Sequence, residues 1–399
     1  MNAASASLSF EDLLIHAEGN VSTLFGNEFS VLDHRLIRIR MPSPPLLLID
    51  RVIELNAKRG VYEGSFLLSE TDLTDGKWYL QDGYIPTGVY SEGCQGILLL
   101  LSKLGIEFLN KRSERFRLLG SKVAYYGGLP KVGDKLKYKI SLNSLVNQEG
   151  SVIAFFLCEC YVDGRLRLRG YSNAGFFALE ELIGARGILW NPVENKDRVV
   201  LDGPLLTPVV SCKRQAFGKE QLVALSKGDL SYCFGSAFEV SDHHATPRLS
   251  GDRLLFLDRV ANIDLEGGPW GRGYLRAETD VDPNEWFFKV HFKNDPVMPG
   301  TLMLEGCLQA MMFFLLYMGF SLERDGHHFE PVSGHTQQFR CRGQVYPESR
   351  HVVYEVFVQE IGENPHPYIR ASVQVFSDGL KIFLLENACV QMAPNDLSV

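Results

Sequence analysis

The chain of 399 residues carries 40 lysines and arginines against 48 aspartates and glutamates, a formal net charge of −8. Hydrophobic residues make up 45% and charged residues 22%, which is typical of a folded protein, and the length favours two domains. The acidic balance disfavours nucleic acid and anionic membranes as main partners, because both require a concentrated basic face.

The first residues, MNAASASLSFEDLLIHAEG, contain no basic segment followed by an apolar core, so we expect no secretory signal. The eight cysteines show no metal-type pairs. Cys158 and Cys160 are alternate residues of a predicted strand and share one face, which indicates packing. We therefore expect reduced cysteines in a cytoplasmic protein without a metal site.

A long repeat organises the chain. LLLIDRV at residues 46–52 returns as LLFLDRV at residues 254–260, an offset of 208. The triplet Glu-Thr-Asp at residues 70–72 returns at residues 278–280 with the same offset. Because this period is too long for a solenoid, it indicates duplication of a whole domain.

Each copy combines one long apolar helix with strand-like segments. The helix is predicted at residues 88–104 in the first copy and 300–318 in the second, and alternating segments follow it in both. One buried helix with several period-two strands predicts an α+β unit in which an antiparallel sheet wraps around the helix. We predict a first domain at residues 1–200 and a second at residues 201–399.

The second of these helices has the most membrane-like sequence of the chain, TLMLEGCLQAMMFFLLYMGF. Glu305 and Gln309 interrupt the apolar run, and a carboxylate that faces lipid is costly. The sequence therefore predicts a core helix and no membrane span.

The first copy lacks five residues ahead of its helix. Residues 92–94 (Glu-Gly-Cys) match residues 305–307 at an offset of 213, against 208 further upstream. His291 lies in the segment that the first copy lacks, so the first copy keeps the glutamate and has no histidine. Tyr84 and Asp82 stand at the cut. A substituted catalytic role is one interpretation of them, and the favoured one is a shortened loop that closes a vacated site.

The second copy holds the parts of an elimination catalyst. His291 can take up a proton near neutral pH, and a glutamate buried in an apolar helix has a raised pKa and can serve as an acid. The backbone N–H of Gly300, at the helix start, is suited to polarising a carbonyl. Together these groups could remove water from a β-hydroxy carbonyl compound, without a metal, nucleotide or flavin.

A simpler interpretation competes with this one. A histidine ahead of a helix is most often a loop residue or a satisfied core residue. A buried glutamate can be a helix residue bonded to backbone or to Gln309. The residues and the repeat leave both interpretations open.

A resemblance to a known family favours catalysis. From LLFLDRV through DVDPNEWFFKVHFKNDPVMPGTLMLEGCLQ, the second copy closely resembles the hotdog-fold 3-hydroxyacyl-acyl-carrier-protein dehydratases, nearest the 3-hydroxydecanoyl dehydratase/isomerase branch. The resemblance covers about residues 254–392. With MPSPPLLLIDRV in the first copy, the chain looks like a dehydratase unit of a polyunsaturated fatty acid synthase or related polyketide synthase, in which a degenerate hotdog precedes an intact one. The implied fold is a double hotdog.

The resemblance implies roles for individual residues. His291 is the catalytic histidine, the N–H of Gly300 binds the thioester carbonyl, and Glu305 occupies the acidic position of the family. In the family's homodimers the histidine and the carboxylate of one site come from opposite subunits. Carried over, this makes Glu92 the partner of His291 and leaves Glu305 facing the vacated site. Which glutamate pairs with His291 stays open.

Substrate-binding residues follow from the same resemblance: Pro299, Thr301, Met303 and Gln309. The acyl chain is expected in a tunnel beside the central helices, lined by residues such as Met303, Met311 and Phe313. Gln309 follows its glutamate by four residues and Gln95 follows Glu92 by three, a difference of about 100° on a helix. We therefore expect Gln95 not to support Glu92 as Gln309 supports Glu305.

The implied activity is dehydration of 3-hydroxyacyl thioesters to trans-2-enoyl thioesters. The substrate is carried on the phosphopantetheine arm of an acyl carrier protein, so we expect no cofactor and expect that carrier and other synthase modules as partners. The acid is Glu and not the Asp of the isomerising branch, so the sequence leaves open whether the enzyme also shifts trans-2 to cis-3 double bonds. Homodimer formation is open as well. Two alternatives are a non-catalytic acyl-binding or scaffolding module and a hotdog thioesterase.

Overall fold

The computed structural model describes residues 6–109, 114–148, 151–196 and 199–395. The helices in chain order are α1 (Phe10–Glu18), α2 (Val21–Phe25), α3 (Ser30–Asp33), α4 (Thr87–Glu92), α5 (Gly96–Lys103), α6 (Leu179–Ile183), α7 (Lys219–Ser226), α8 (Leu230–Phe234) and α9 (Gly300–Tyr317). The strands of the first half are β1 (Ala6–Leu8), β2 (Arg51–Lys58), β3 (Val61–Asp72), β4 (Arg115–Tyr125), β5 (Lys135–Gln148), β6 (Ser151–Val162) and β7 (Arg165–Phe177). Those of the second half are β8 (Arg259–Asp264), β9 (Tyr274–Asp280), β10 (His327–Pro331), β11 (Thr336–Cys341), β12 (His351–Gly362), β13 (Tyr368–Ser377) and β14 (Leu380–Pro394).

The strands form one 14-stranded sheet in the order β1-β2-β3-β5-β6-β7-β4-β11-β14-β13-β12-β9-β8, with β10 paired to β14. The two halves meet where β4 pairs with β11 in antiparallel register, Ser121 opposite Phe339. Each half wraps its strands around a central helix, α4 and α5 in the first half and α9 in the second. This arrangement confirms the predicted α+β fold with one enclosed helix per copy.

The central helix of the second half is continuous over 18 residues, Gly300–Tyr317. It is long and apolar enough to cross a membrane by length and composition, and 94% of it is buried inside the protein. Its apolar surface runs all round because the sheet encloses it, which is the pattern of a core helix.

The central helix of the first half is interrupted, where the sequence predicted one continuous helix over residues 88–104. A turn of 3-10 helix at Gly93–Gln95 separates α4 from α5. A side chain at Gly93 would meet the ring of Tyr138 at 2.3 Å, so the sheet lies against the backbone at this turn.

The two central helices touch where α4 crosses the start of α9. A Cβ on Gly88 would stand 2.6 Å from the Cβ of Glu305 and 2.6 Å from the carbonyl oxygen of Thr301. Only a residue without a side chain permits this approach. The contact places the beginning of each helix beside the glutamate of the other copy.

The expectation that all cysteines are reduced is wrong for one pair. Cys94 and Cys158 form a disulfide with a Cα–Cα distance of 6.1 Å. It joins the central 3-10 turn of the first half to β6, whereas Cys160, two residues further, is a free and buried thiol. Among the described residues, no group of three or more His, Cys, Asp or Glu is placed to hold a metal ion.

The segment that links the halves packs on the second half. Ile188 and Trp190 form a small apolar cluster with Phe357 of β12 and Leu384 of β14. The proposed boundary near residue 200 falls within this linking segment.

Candidate active site

A cavity of about 230 Å³ opens between the two halves. The first half contributes Glu92 and residues of α5, β4, β6 and β7 to its walls, and the second half contributes His291 and the start of α9. The apolar part of the wall includes Ile97, Leu98, Phe156, Leu168 and Met303. The structure therefore brings His291 and Glu92 to one cavity, although they belong to different copies.

His291 begins the loop of residues 291–299 that precedes α9, here called the histidine loop. Its Nδ1 lies 2.8 Å from the carbonyl oxygen of Val297. Since a carbonyl oxygen only accepts, Nδ1 carries the proton and Nε2 is left as the basic atom of a neutral ring. Burial lowers the pKa of His291 to about 4, and the Val297 hydrogen bond opposes part of that effect. The ring is therefore neutral at physiological pH.

Glu92 is the last residue of α4 and is buried. Burial raises its pKa to about 7, while hydrogen bonds from Thr301 and Gln95 partly lower it. The hydroxyl of Thr301 donates to one carboxylate oxygen of Glu92. Desolvation thus favours the protonated carboxyl group, the form that can donate a proton.

Gln95 supports Glu92, so the expectation from helical spacing is wrong. Its Nε2 lies 3.4 Å from the Oε1 of Glu92 and donates to the carbonyl of Leu46 at 3.0 Å, and its Oε1 accepts from the N–H of Leu48 at 2.9 Å. The reason is the 3-10 turn at this point, because residues three apart eclipse one another in that helix.

Gln309 makes the equivalent contacts in the second copy. It binds the backbone of Leu254 and Phe256 and lies 3.3 Å from Glu305. The two glutamines therefore bind each central helix to the LLLIDRV or LLFLDRV segment of its own copy. In the first copy the glutamine follows its glutamate by three residues and not by four, and the 3-10 turn compensates for this shorter spacing.

Glu305 lies on the other side of the contact between the central helices. It is fully buried and accepts hydrogen bonds from the N–H of Gly88 at 2.9 Å and the hydroxyl of Ser250 at 3.1 Å. Burial raises its pKa. It lines a separate cavity of about 40 Å³, which does not include His291.

The small cavity corresponds to the site that lost its histidine loop. Tyr84, from the shortened loop, lines it and stacks on His328 with ring centroids 3.9 Å apart. Asp82 forms an ion pair with Arg248 at its rim. Both contacts lie at the walls of this small cavity.

The remaining predicted residues divide into two groups. Gly300, Thr301 and Met303 line the large cavity, with Gly300 as the first residue of α9 after the N-cap Pro299. Pro299 and Gln309 lie outside the linings of both cavities.

Met311 and Phe313 do not line the cavity, contrary to the predicted tunnel. Both are fully buried further along α9, and Phe313 packs against Phe217 and Phe234 with ring centroids 5.1 and 5.5 Å apart. The wall that the sequence assigned to them is supplied by α5 and by the strands of the first half.

Sequence reasoning missed a buried ion pair behind the histidine. Asp295 of the histidine loop accepts from Nη1 of Arg117 at 2.6 Å and from Nη2 at 2.8 Å, and from Nε of Arg115 at 3.1 Å. The arginines lie on β4 of the first copy, and nothing in their local sequence indicates a partner so distant in the chain.

Parts of the chain match known proteins. Residues 249–386 match a family model described as a FabA-like domain. The chain is 31% identical over 376 residues to a polyunsaturated fatty acid synthase subunit of Thraustochytrium sp. (strain ATCC 26185 / S-3), a match that covers 92% of this chain and 25% of that protein. The chain thus spans a quarter of the length of this curated relative.

Solved structures with a similar arrangement include both dehydratases and thioesterases. The dehydratase domain of RzxB from Pseudomonas fluorescens is 12% identical, with 87% of this chain and 98% of that chain covered and a TM-score of 0.40. A putative oleoyl thioesterase from Lactobacillus plantarum is 10% identical, with 83% and 98% covered and a TM-score of 0.43. Likenesses at this level carry no argument about the reaction. The family model and the synthase subunit identify the chain more closely: residues 249–386 form a FabA-like domain of the hotdog fold, and the chain as a whole is a double-hotdog homologue of part of a polyunsaturated fatty acid synthase subunit.

Proposed function

We propose that the chain removes water from 3-hydroxyacyl thioesters on an acyl carrier protein and yields trans-2-enoyl thioesters. The observation that carries the proposal is one cavity lined by both His291 and Glu92, in which burial lowers the pKa of the histidine to about 4 and raises that of the carboxyl group to about 7. A base and an acid in one cavity are what an elimination across a carbon–carbon bond requires.

In the proposed reaction, Nε2 of His291 removes a proton from the carbon next to the thioester carbonyl. The N–H of Gly300, at the start of α9, donates a hydrogen bond to the carbonyl oxygen and stabilises the enolate that forms. Glu92 gives its proton to the departing hydroxyl group, so that water leaves and the double bond forms. Proton transfer from the imidazolium back to the carboxylate, through solvent, restores both residues.

The acyl chain is proposed to lie against the apolar wall of the cavity, formed by Ile97, Leu98, Phe156 and Leu168 with Met303 from the second half. The carrier protein, the neighbouring synthase modules and a cytoplasmic location belong to this proposal, supported by the homology to a synthase subunit. The cycle needs no cofactor, because both proton transfers use protein side chains.

The test is incubation of the purified chain with 3-hydroxyacyl carrier proteins of several chain lengths. Intact-mass analysis should show loss of water from the carrier-bound acyl group, and fragmentation should place the double bond. His291→Ala should abolish the loss. Release of free acid would indicate a thioesterase, and an unchanged acyl carrier at every length would overturn the proposed activity.

A further inference from the structure

The histidine loop is held in place largely by the first copy. The carbonyl oxygen of Val290, just before the loop, accepts a hydrogen bond from the N–H of Ser43 at 2.9 Å. Nζ of Lys293 donates to the carbonyl oxygen of Glu18 at 2.7 Å, and the amide of Asn294 donates to that of Leu36 at 3.2 Å. The catalytic half therefore depends on the degenerate half for the shape of this loop.

The strongest of these contacts is the ion pair at Asp295. Arg117 approaches its two carboxylate oxygens with two nitrogen atoms, and the side chains of both residues are almost completely removed from solvent, with exposures of 7% and 11%. Charged hydrogen bonds of this bidentate kind fix geometry as well as adding energy. Asp295 does not line the cavity, whereas Arg117 does.

Backbone hydrogen bonds connect Asp295 to His291. The N–H and carbonyl of Asp295 pair with the carbonyl and N–H of Phe292 at 3.0 Å each. Two residues on, Val297 donates its N–H to the carbonyl of His291 at 2.8 Å and accepts from the imidazole at its own carbonyl. A shift of Asp295 would therefore move the carbonyl that fixes the tautomer and direction of the ring.

We propose that the Arg117–Asp295 ion pair is a positioning device, by which the degenerate half orients the histidine of the catalytic half. The proposal rests on the proposed dehydration and assigns the pair no contact with the reacting atoms. It gives the first copy a second role besides supplying Glu92. It also explains why Asp295 is buried although it is charged, since a buried carboxylate needs a partner of this quality.

The pair also sets the electrostatic surroundings of His291. Arg117 lowers the pKa of the imidazole and Asp295 raises it. Other ionisable groups face the same cavity from the neighbouring elements: Glu92 of α4, Glu181 of α6, Cys341 of β11 and Arg342 after β11. Because the two members of the pair act in opposite directions, their separate removal should shift the pH dependence in opposite directions.

The test compares Asp295→Asn with Asp82→Asn in the full chain. Asp82 is the control, because it is an ion-paired loop aspartate of the first copy, bonded to Arg248, that does not line the large cavity. Asp295→Asn should lower kcat about 10- to 100-fold with little change in KM, since a small misplacement of a catalytic group costs about that much. Asp82→Asn should leave both constants near the wild-type values.

The pH profile separates positioning from general destabilisation. In Asp295→Asn the unpaired Arg117 charge should move the acid limb of kcat/KM to lower pH. In Arg117→Met, where Asp295 keeps only Arg115, that limb should move to higher pH. The double variant Arg117→Asp/Asp295→Arg, which exchanges the two charges, should have a higher kcat than either single variant. This comparison keeps the test valid if one single variant folds poorly.

The outcomes distinguish this inference from the proposed function. An inactive wild-type chain would overturn the dehydratase assignment itself. An active wild-type chain with an unchanged Asp295→Asn variant would overturn only the positioning role. A rise in KM confined to Arg117 variants would show that Arg117 binds substrate directly, and would also overturn it.

Discussion

The hydroxyl of Thr301 in the catalytic half donates a hydrogen bond to Glu92 in the degenerate half. Across the same contact, the N–H of Gly88 donates to Glu305. Each glutamate is thus held by the helix start of the other copy. Glu92 shares its cavity with His291 and Glu305 does not, so variants of the two glutamates test which of them acts with His291.

Glu92→Gln should lower dehydration at least about 100-fold, because an amide cannot donate the proton that the departing hydroxyl needs. Glu305→Gln should keep most of the activity, since Glu305 lines the closed cavity without His291. The measurement is the initial rate with a 3-hydroxyacyl carrier protein. Loss of activity in Glu305→Gln with retention in Glu92→Gln would reverse the assignment.

The activity of the free enzyme should show two pH limits. Below about 4 the base His291 becomes protonated and cannot take up a proton, and above about 7 the acid Glu92 loses the proton it must donate. The profile of kcat/KM should therefore form a plateau between these values and fall on both sides. The residual activity of Glu92→Gln should lack this fall at high pH. If its kcat/KM still falls at the same pH as in the wild type, Glu92 does not have the proposed role.

Gly88→Ala should destabilise the chain by about 1–3 kcal/mol, because the new methyl group would overlap Glu305 and the backbone of Thr301. The matched control is Gly300→Ala at the start of α9, where a Cβ meets Cys341 and Leu118 at 3.5 and 3.7 Å, ordinary contact distances. Chemical denaturation should rank Gly88→Ala well below Gly300→Ala in free energy of unfolding. Equal stabilities would show that the two helices are not in the described contact.

Loss of the Cys94–Cys158 disulfide should lower stability by about 2–4 kcal/mol, because the bond closes a long loop in the unfolded chain. Cys94→Ser and Cys158→Ser should show this loss under oxidising conditions, and Cys212→Ser, which removes a free thiol, should not. Wild type with reductant should unfold like the serine variants. Titration of all eight thiols in denaturant without reductant would show that the disulfide is absent.

Gly170→Leu should restrict the enzyme to shorter acyl chains, because Gly170 lines the cavity and a large side chain there would occupy it. Gly170→Ala is the control, since a Cβ at this position meets Ser121 and Val123 at 3.5 and 3.6 Å and fits without displacement. Rates for a series of chain lengths would be compared among the three proteins. An unchanged length profile in the leucine variant would place the acyl chain elsewhere.

The duplication and the fold were predictable because both leave regular marks in the sequence. The offset of 208 aligns the opening strands, and the change to 213 marks where the histidine loop is missing. That change, together with the family resemblance, suggested that Glu92 and His291 share a site. The structure places them in one cavity, and the catalytic roles remain a prediction for the variants above.

Other features could not be predicted, for identifiable reasons. Spacing rules assume one helix type, so they placed Gln95 on the wrong side until the 3-10 turn was known. A helix that is apolar all round gives no sign of which of its residues line a cavity, which is why Met311 and Phe313 were misassigned. The disulfide and the Arg117–Asp295 pair join residues remote in sequence, and one sequence carries no signal of such pairings.

The pairing of β4 with β11 joins the two copies within one polypeptide. A homodimer that builds each site from two protomers loses its activity when dilution separates them, as mass action requires. Covalent linkage makes the meeting of the copies intramolecular, with a high effective concentration that does not depend on how much protein is present. The site should therefore stay assembled at any dilution, and a change in one copy no longer has to appear in the other. Such freedom would allow one histidine loop to be lost while its copy kept the glutamate and arginine to which we assign roles in the surviving site.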